Sequence, residues 1–263
     1  MVKRWSKWIY ITLAYIFLYA PILSLIIFSF NSEKSSSKWG GFSLKWYSSL
    51  FSDARMLKAL SNTLTVAIIA ALVATTLGTI AAIGINSMTG LRKKALLNIN
   101  YLPILNPDIV TAVSLMTLFI FLKLTFGFKT LILAHIMFCT PYVVISVLPK
   151  LKQLPEDTIK AAYDLGATPT YALKKIIIPQ IKPGIFAGFL IAFTMSIDDF
   201  VISFFNAGSG VTNLSIEIYS MARRGVSLKI NALSTLMFIT IFILLLLSNS
   251  MSFSKRRSKN EIR

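Results

Sequence analysis

The sequence predicts an all-α protein that crosses a membrane several times, on three observations. Of the 263 residues, 55% are apolar and the mean hydropathy is strongly positive, which argues against a soluble globule. Five segments of roughly 20 residues are apolar enough to cross a hydrocarbon layer about 30 Å thick at about 1.5 Å per helical residue, and a sixth follows them. None of these runs shows the two-residue alternation of barrel strands, so helices must satisfy their backbone polar groups in lipid.

The spans are expected at about residues 8–30, 62–86, 102–123, 129–149, 184–205 and 232–252, with Pro141 interrupting the fourth. Lys3, Arg4 and Lys7 before the first resemble the start of a secretory signal. Its apolar run is longer than a signal core and no small-residue cleavage site follows, so an uncleaved anchor is expected. Most of the 27 basic residues fall in alternate segments that are inner if both termini are cytoplasmic. A formal net charge of +17 would point to nucleic acid in a soluble chain, but basic residues flanking spans are what anionic lipids and insertion demand. Membrane lipids, and no nucleic acid, are the expected partners.

Residues 1–59 then form an anchor with a first outer loop, 60–252 a transmembrane core, and 253–263 a basic tail. In the outer loop, Ser35, Ser36 and Ser37 with Trp39, Gly40 and Gly41 read as irregular chain, and "LKWYSSLF" at 44–51 sets aromatics at an aqueous boundary. His135 and Cys139 lie four apart on the fourth span. With no third ligand they read as a packed helix interface, and no metal site is expected. Neither a phosphate-cradling glycine loop nor a catalytic triad, acid pair or zinc motif is present, so no catalytic residue is expected.

The longest inner segment, residues 150–183, contains "KAAYDLGATPTYALKKIIIP" at 160–179. Pro155, Glu156 and Asp157 mark a helix start, Leu165 its end, and Gly166 a residue able to take the left-handed conformation. A second start follows with Thr168 as N-cap and Pro169 in the first turn; Lys174 and Lys175 suit its end, and Pro179 and Pro183 are expected to stop it before span five. In the first helix Ile159, Ala162, Tyr163 and Gly166 share one side and Asp157, Lys160 and Asp164 another. Small side chains at Ala161 and Ala162 leave a surface that a second protein can approach closely. A segment lying on lipid headgroups is the alternative.

The spacing of alanine pair, glycine and proline resembles the cytoplasmic signature loop of binding-protein-dependent ABC importer permeases, with Ala161, Ala162, Gly166, Ile176 and Pro179 in register. Lys160 stands where that family has glutamate, and Ile178 where it has leucine. The resemblance implies the type I ABC importer permease fold and a coupling role for Lys160, Ala161, Ala162, Asp164, Gly166, Ile176 and Pro179 against a separate ATPase dimer. That partner would hold the ATP and magnesium, leaving this chain without a cofactor. "NPDIVTAVSL" at 106–115, "FTMSIDDFVISFF" at 193–205 and "IYSMARRGVSLKINALSTL" at 218–236 are similar to the permeases of spermidine/putrescine importers. A related second permease and an external polyamine-binding protein would complete such a machine in a bacterial inner membrane.

Asp198 and Asp199 fall within span five, past the midplane, where an unpaired acid costs on the order of 3 kcal/mol and must be paired, solvated or used. A polyamine path would use carboxylates with aromatic faces nearby. The competing arrangement is a helix break near Ser196 with the aspartates capping a turn. Tyr219 and Met221, with Arg223, are expected near an outer gate. Asp108, beside Pro107, is expected to cap a helix on the cytoplasmic side. Other readings are an importer of a metal ion or oxyanion, an ion-coupled carrier working alone, and a membrane-anchored assembly protein.

Overall fold

The computed structural model describes residues 2–34, 38–224 and 228–240, with side chains from residue 7 onward except those of Glu156 and Ile159. Helices dominate: α1 (Val2–Phe28), α2 (Lys45–Phe51), α3 (Ala54–Ser87), α4 (Gly90–Leu105), α5 (Asp108–Phe121), α6 (Phe128–Lys152), α7 (Glu156–Asp164), α8 (Pro169–Ala172), α9 (Ile178–Asp198), α10 (Val201–Asn206), α11 (Leu214–Arg223) and α12 (Leu228–Thr240). Among the described residues, four helices are long and apolar enough to cross a membrane, or five if a bent pair counts as one span. The latter part of the expected sixth span, residues 241–252, and the basic tail lie outside the described residues; the part before them forms α12.

Three expectations change. The third span is not one rod over 102–123, because α4 and α5 meet at 107°. Asn106 and Pro107 are both extended, with ψ of 146° and 139°. A proline pushes the residue before it out of the helical region, so the sequence Asn-Pro makes the corner. The fourth span continues unbroken through Pro141 from Phe128 to Lys152. The third change concerns the helix that begins at Pro169, which does not stop at Pro179 or Pro183 but runs on to Asp198 as a 30-residue rod. A π turn at Leu173–Ile177 lies just before Pro179. Its wider hydrogen-bond register accommodates a proline, which has no N–H to give and crowds the carbonyl one turn back.

The chain forms two compact units, residues 58–217 and residues 1–57 with the segment from Ile218 onward. In the first, α6 is the central rod, burying Ala134, Phe138, Cys139, Val143, Val144, Val147, Leu148 and Leu151. A Cβ placed on Gly78 of α3 would lie 2.7 Å from Val143 Cβ, and one on Gly188 of α9 would lie 3.1 Å from Val143 Cγ1. A side chain at Gly78 would thus displace Val143, and one at Gly188 would press on it, so small residues suit the places where these backbones approach α6. Polar contacts add to the α6–α9 seam: Ser146 Oγ donates to the Gly184 carbonyl at 3.3 Å and Cys139 Sγ to the Ala192 carbonyl at 3.4 Å. Small residues and such hydrogen bonds hold helices together in lipid, where apolar side chains gain nothing from leaving water.

In the second unit, Asn31 organises the loop after α1. Its side chain accepts from Gly40 N–H at 2.8 Å and donates to the Lys38 carbonyl at 2.7 Å, and its carbonyl accepts from Trp46 Nε1 at 2.7 Å. Asp53 caps α3 through the N–H groups of Arg55 and Met56 and pairs with Lys229 of α12 at 2.8 Å.

Candidate functional site

The α7 segment is a short helix with both ends defined locally. Pro155 precedes its first turn in an extended conformation. At the other end Gly166 has φ of +82°, Ala167 N–H donates to the Ala162 carbonyl at 3.0 Å and Gly166 N–H to that of Tyr163 at 2.9 Å. This is a Schellman ending, which needs a left-handed residue at the glycine position. Thr168 Oγ1 then accepts from Tyr171 N–H at 3.3 Å and starts the long rod. Lys160, Ala161, Asp164 and Gly166 are exposed, as are Tyr163 and Leu165, the latter at 89%. Ala162 departs from the expected docking face, since it is turned inward with 8% exposure. Ile176 is half-buried in the π turn, and Pro179 is exposed near the start of α9 rather than ending a helix. Thus α7 hangs between α6 and the rod ending in α9, which pack on each other.

The far end of that rod holds the two aspartates, and the structure separates them. Helix α9 ends at Asp198, Asp199 is extended with ψ of 127°, and α10 begins at Val201. The break lies three residues beyond Ser196, with Asp199 alone capping α10: Oδ1 accepts from Ile202 N–H at 3.0 Å, and Oδ2 from Ser203 N–H at 2.8 Å and Ser203 Oγ at 3.0 Å. Its side chain is only 5% exposed. Asp198 is exposed. The structure thus realises the capping arrangement for Asp199 and leaves Asp198 as the carboxylate open to a ligand.

Around Asp199 lies a polar knot that sequence reading did not find. His135 of α6 is wholly buried, with Nδ1 2.7 Å from Ser196 Oγ and Nε2 2.9 Å from Ser203 Oγ. Asn213 Nδ2 donates to the same Ser203 oxygen at 2.7 Å. Asn206 of α10 donates to the Ala112 carbonyl of α5 at 3.2 Å, and Thr130 Oγ1 of α6 donates to the Asn206 carbonyl at 2.9 Å. His135 and Cys139 do lie in a packed helix interface, as expected, and the imidazole joins three helices within it. Spacing along α6 could not show this, because its partners lie 61 and 68 residues away.

Asp108 opens α5 at the 107° corner, the helix entry expected for it, and is exposed. In the other unit Tyr219 is exposed on α11 and Met221 is half-buried. The Arg223 guanidinium lies 5.9 Å from the centre of the Tyr219 ring. Among the described residues no cluster of three metal-ligating side chains occurs.

A multi-pass helical bundle with a capped, water-exposed helix slung between two packed rods, and with broken spans elsewhere, is the architecture of a transporter's membrane subunit. The chain belongs to the family of binding-protein-dependent transport system inner membrane components, whose model matches residues 74–263. It is 36% identical to the spermidine/putrescine transport system permease protein PotC of Escherichia coli (strain K12), over 98% of this chain and 97% of that one. To the putrescine transport system permease protein PotI of the same organism it is 40% identical, over 88% and 85%. The fold matches a chain of a bacterial ABC transporter that imports the acidic polysaccharide alginate, with a TM-score of 0.73 over 95% of this chain and 96% of that one at 19% identity. That transporter has also been solved in complex with an alginate-bound periplasmic protein.

Proposed function

We propose that this chain is one of two membrane subunits of an ATP-driven polyamine importer. The carrying observation is its identity of 36% and 40% to polyamine permeases across most of its length. In this reading both termini are cytoplasmic, a related permease supplies the other half of the path, and an external binding protein delivers spermidine or putrescine. A separate ATPase dimer receives α7 through Lys160, Ala161, Asp164 and the Gly166 turn, with Ala162 packed behind that face and Ile176 and Pro179 shaping the start of the rod.

The substrate is a flexible chain of ammonium groups and methylenes. Two neighbouring helix interruptions, at Asn106–Pro107 and after Asp198, each present an exposed acid, Asp108 and Asp198. Interrupted spans are where membrane transporters place polar groups without stranding backbone in lipid. Asp199 holds that arrangement in place, and Tyr219 and Met221 belong to the outer gate. Reconstitution with the ATPase, second permease and polyamine-binding protein of the same organism should give ATP-dependent uptake of labelled spermidine. Uptake by this chain alone under an ion gradient would refute the assignment.

A further inference from the structure

We infer that His135 is a positioning residue that ties the α6–α9 pair to α10, so that movement received at the α7 end reaches the break beside Asp198. This rests on the reading of the chain as an ATP-driven transport subunit. The imidazole bridges the interruption: Ser196, on its Nδ1 side, is in the last turn of α9, and Ser203, on its Nε2 side, is in α10. No continuous helical backbone joins those two segments. The ring supplies from α6 a link that the break removes from the chain itself.

Donor and acceptor counting orders the contacts at Ser203. The Asp199 carboxylate only accepts, so the Ser203 hydroxyl gives its proton to Oδ2 at 3.0 Å. Ser203 Oγ then accepts from Asn213 Nδ2 at 2.7 Å, and its remaining approach, from His135 Nε2 at 2.9 Å, must bring a proton as well. With Asp199 ionised this puts hydrogen on Nε2, while Nδ1 lies 2.7 Å from Ser196 Oγ, a hydroxyl that can complete the link as donor or acceptor. Each group around Ser203 has one role, and removing the ring leaves both serines short of a partner in a buried site. The rods on which the ring is mounted are stiff at this end, since Cys139, one turn along α6, is buried and donates to the Ala192 carbonyl of α9.

The inference predicts uncoupling rather than collapse. In the full reconstituted complex, His135→Leu is expected to reduce spermidine uptake about tenfold while ATP hydrolysis stimulated by the loaded binding protein stays within about twofold. His135→Gln, whose amide can donate toward Ser203, should recover at least half of the uptake. Ser203→Ala should uncouple as His135→Leu does, and the double variant should be no worse than either alone. Cys139 is the only cysteine of this chain and serves as an internal control. Its alkylation, followed by mass spectrometry of this subunit, should stay as slow in His135→Leu as in the unmodified complex. Uptake within twofold of normal in His135→Leu overturns the inference, and so does a parallel fall in ATP hydrolysis with rapid Cys139 alkylation, which would make the ring a packing element. Absence of uptake in the unmodified complex would instead count against the transport reading itself.

Discussion

Two places in this chain stop a helix, and they do so by opposite means. After α7 the stop is local: Gly166 at φ +82°, two backbone hydrogen bonds within six residues, and a threonine cap that starts the next helix. After α9 the stop is collective, with Asp199 capping α10 while His135, Ser196 and Asn213 converge from three other segments. A local stop can be carried about as a rigid piece because the hydrogen bonds that define it run between neighbours in sequence. A collective stop cannot move without its neighbours, which is the property wanted where motion must be handed from one element to the next.

The sharpest way to break the contrast is Asp199→Ala, which removes a cap and three charge-assisted hydrogen bonds at once. A loss of about 3 kcal/mol in stability and abolished uptake are expected, read by thermal unfolding in detergent and by transport. Asp199→Asn should fall between. Next in size, Gly166→Val forces a β-branched residue into the left-handed region at about 2 kcal/mol, with no atom within 4 Å to clash. The complex should still assemble while ATP-driven uptake fails; normal uptake would remove α7 as a lever.

Asp198→Asn tests the other side of the comparison, because that carboxylate is exposed while its neighbour Asp199 does the capping. It should raise the KM for spermidine about tenfold, ~1.4 kcal/mol, with no change in unfolding temperature. A drop in stability without a change in KM would reverse the roles given to the two aspartates. A smaller contrast separates the alanines: cysteine at Ala161 should cross-link to the ATPase severalfold more than cysteine at Ala162, which faces inward.

The smallest effect concerns Asp53, whose carboxyl is held below the ordinary range by the Lys229 hydrogen bond, against a smaller opposing effect of burial. A depressed value adds stability at pH above the unfolded pKa near 3.8, and this is lost as pH falls through the folded value. Unfolding temperatures of the normal chain and Asp53→Asn should therefore differ by a constant small amount above pH 5 and converge below pH 4.

The same contrast explains what could be read in advance. Gly166, Thr168 and Pro155 announce α7 because each acts on backbone a few residues away, so the type and spacing of residues sufficed. Long apolar runs likewise marked α1, α3 and α6. The 107° corner was also written locally in Asn106–Pro107, yet the hydropathy of 102–123 masked it. Continuation of the rod through Pro179 was hidden because prolines signal a stop unless a π turn precedes them. His135 could not be placed at all from one sequence, since its meaning depends on Ser196 and Ser203 arriving from elsewhere. Asp198 and Asp199 were singled out together by charge in an apolar run; only tertiary structure turned one inward and left the other in the open.

At the tip of the Schellman turn, Leu165 stands 89% exposed, and Tyr163 and Tyr171 of the same segment are 46% and 56% exposed. A leucine side chain kept in water forgoes about 2 kcal/mol that burial would return. A solitary copy of this protein thus displays an oily fingertip on an otherwise polar hairpin. Any surface that covers this tip recovers that free energy.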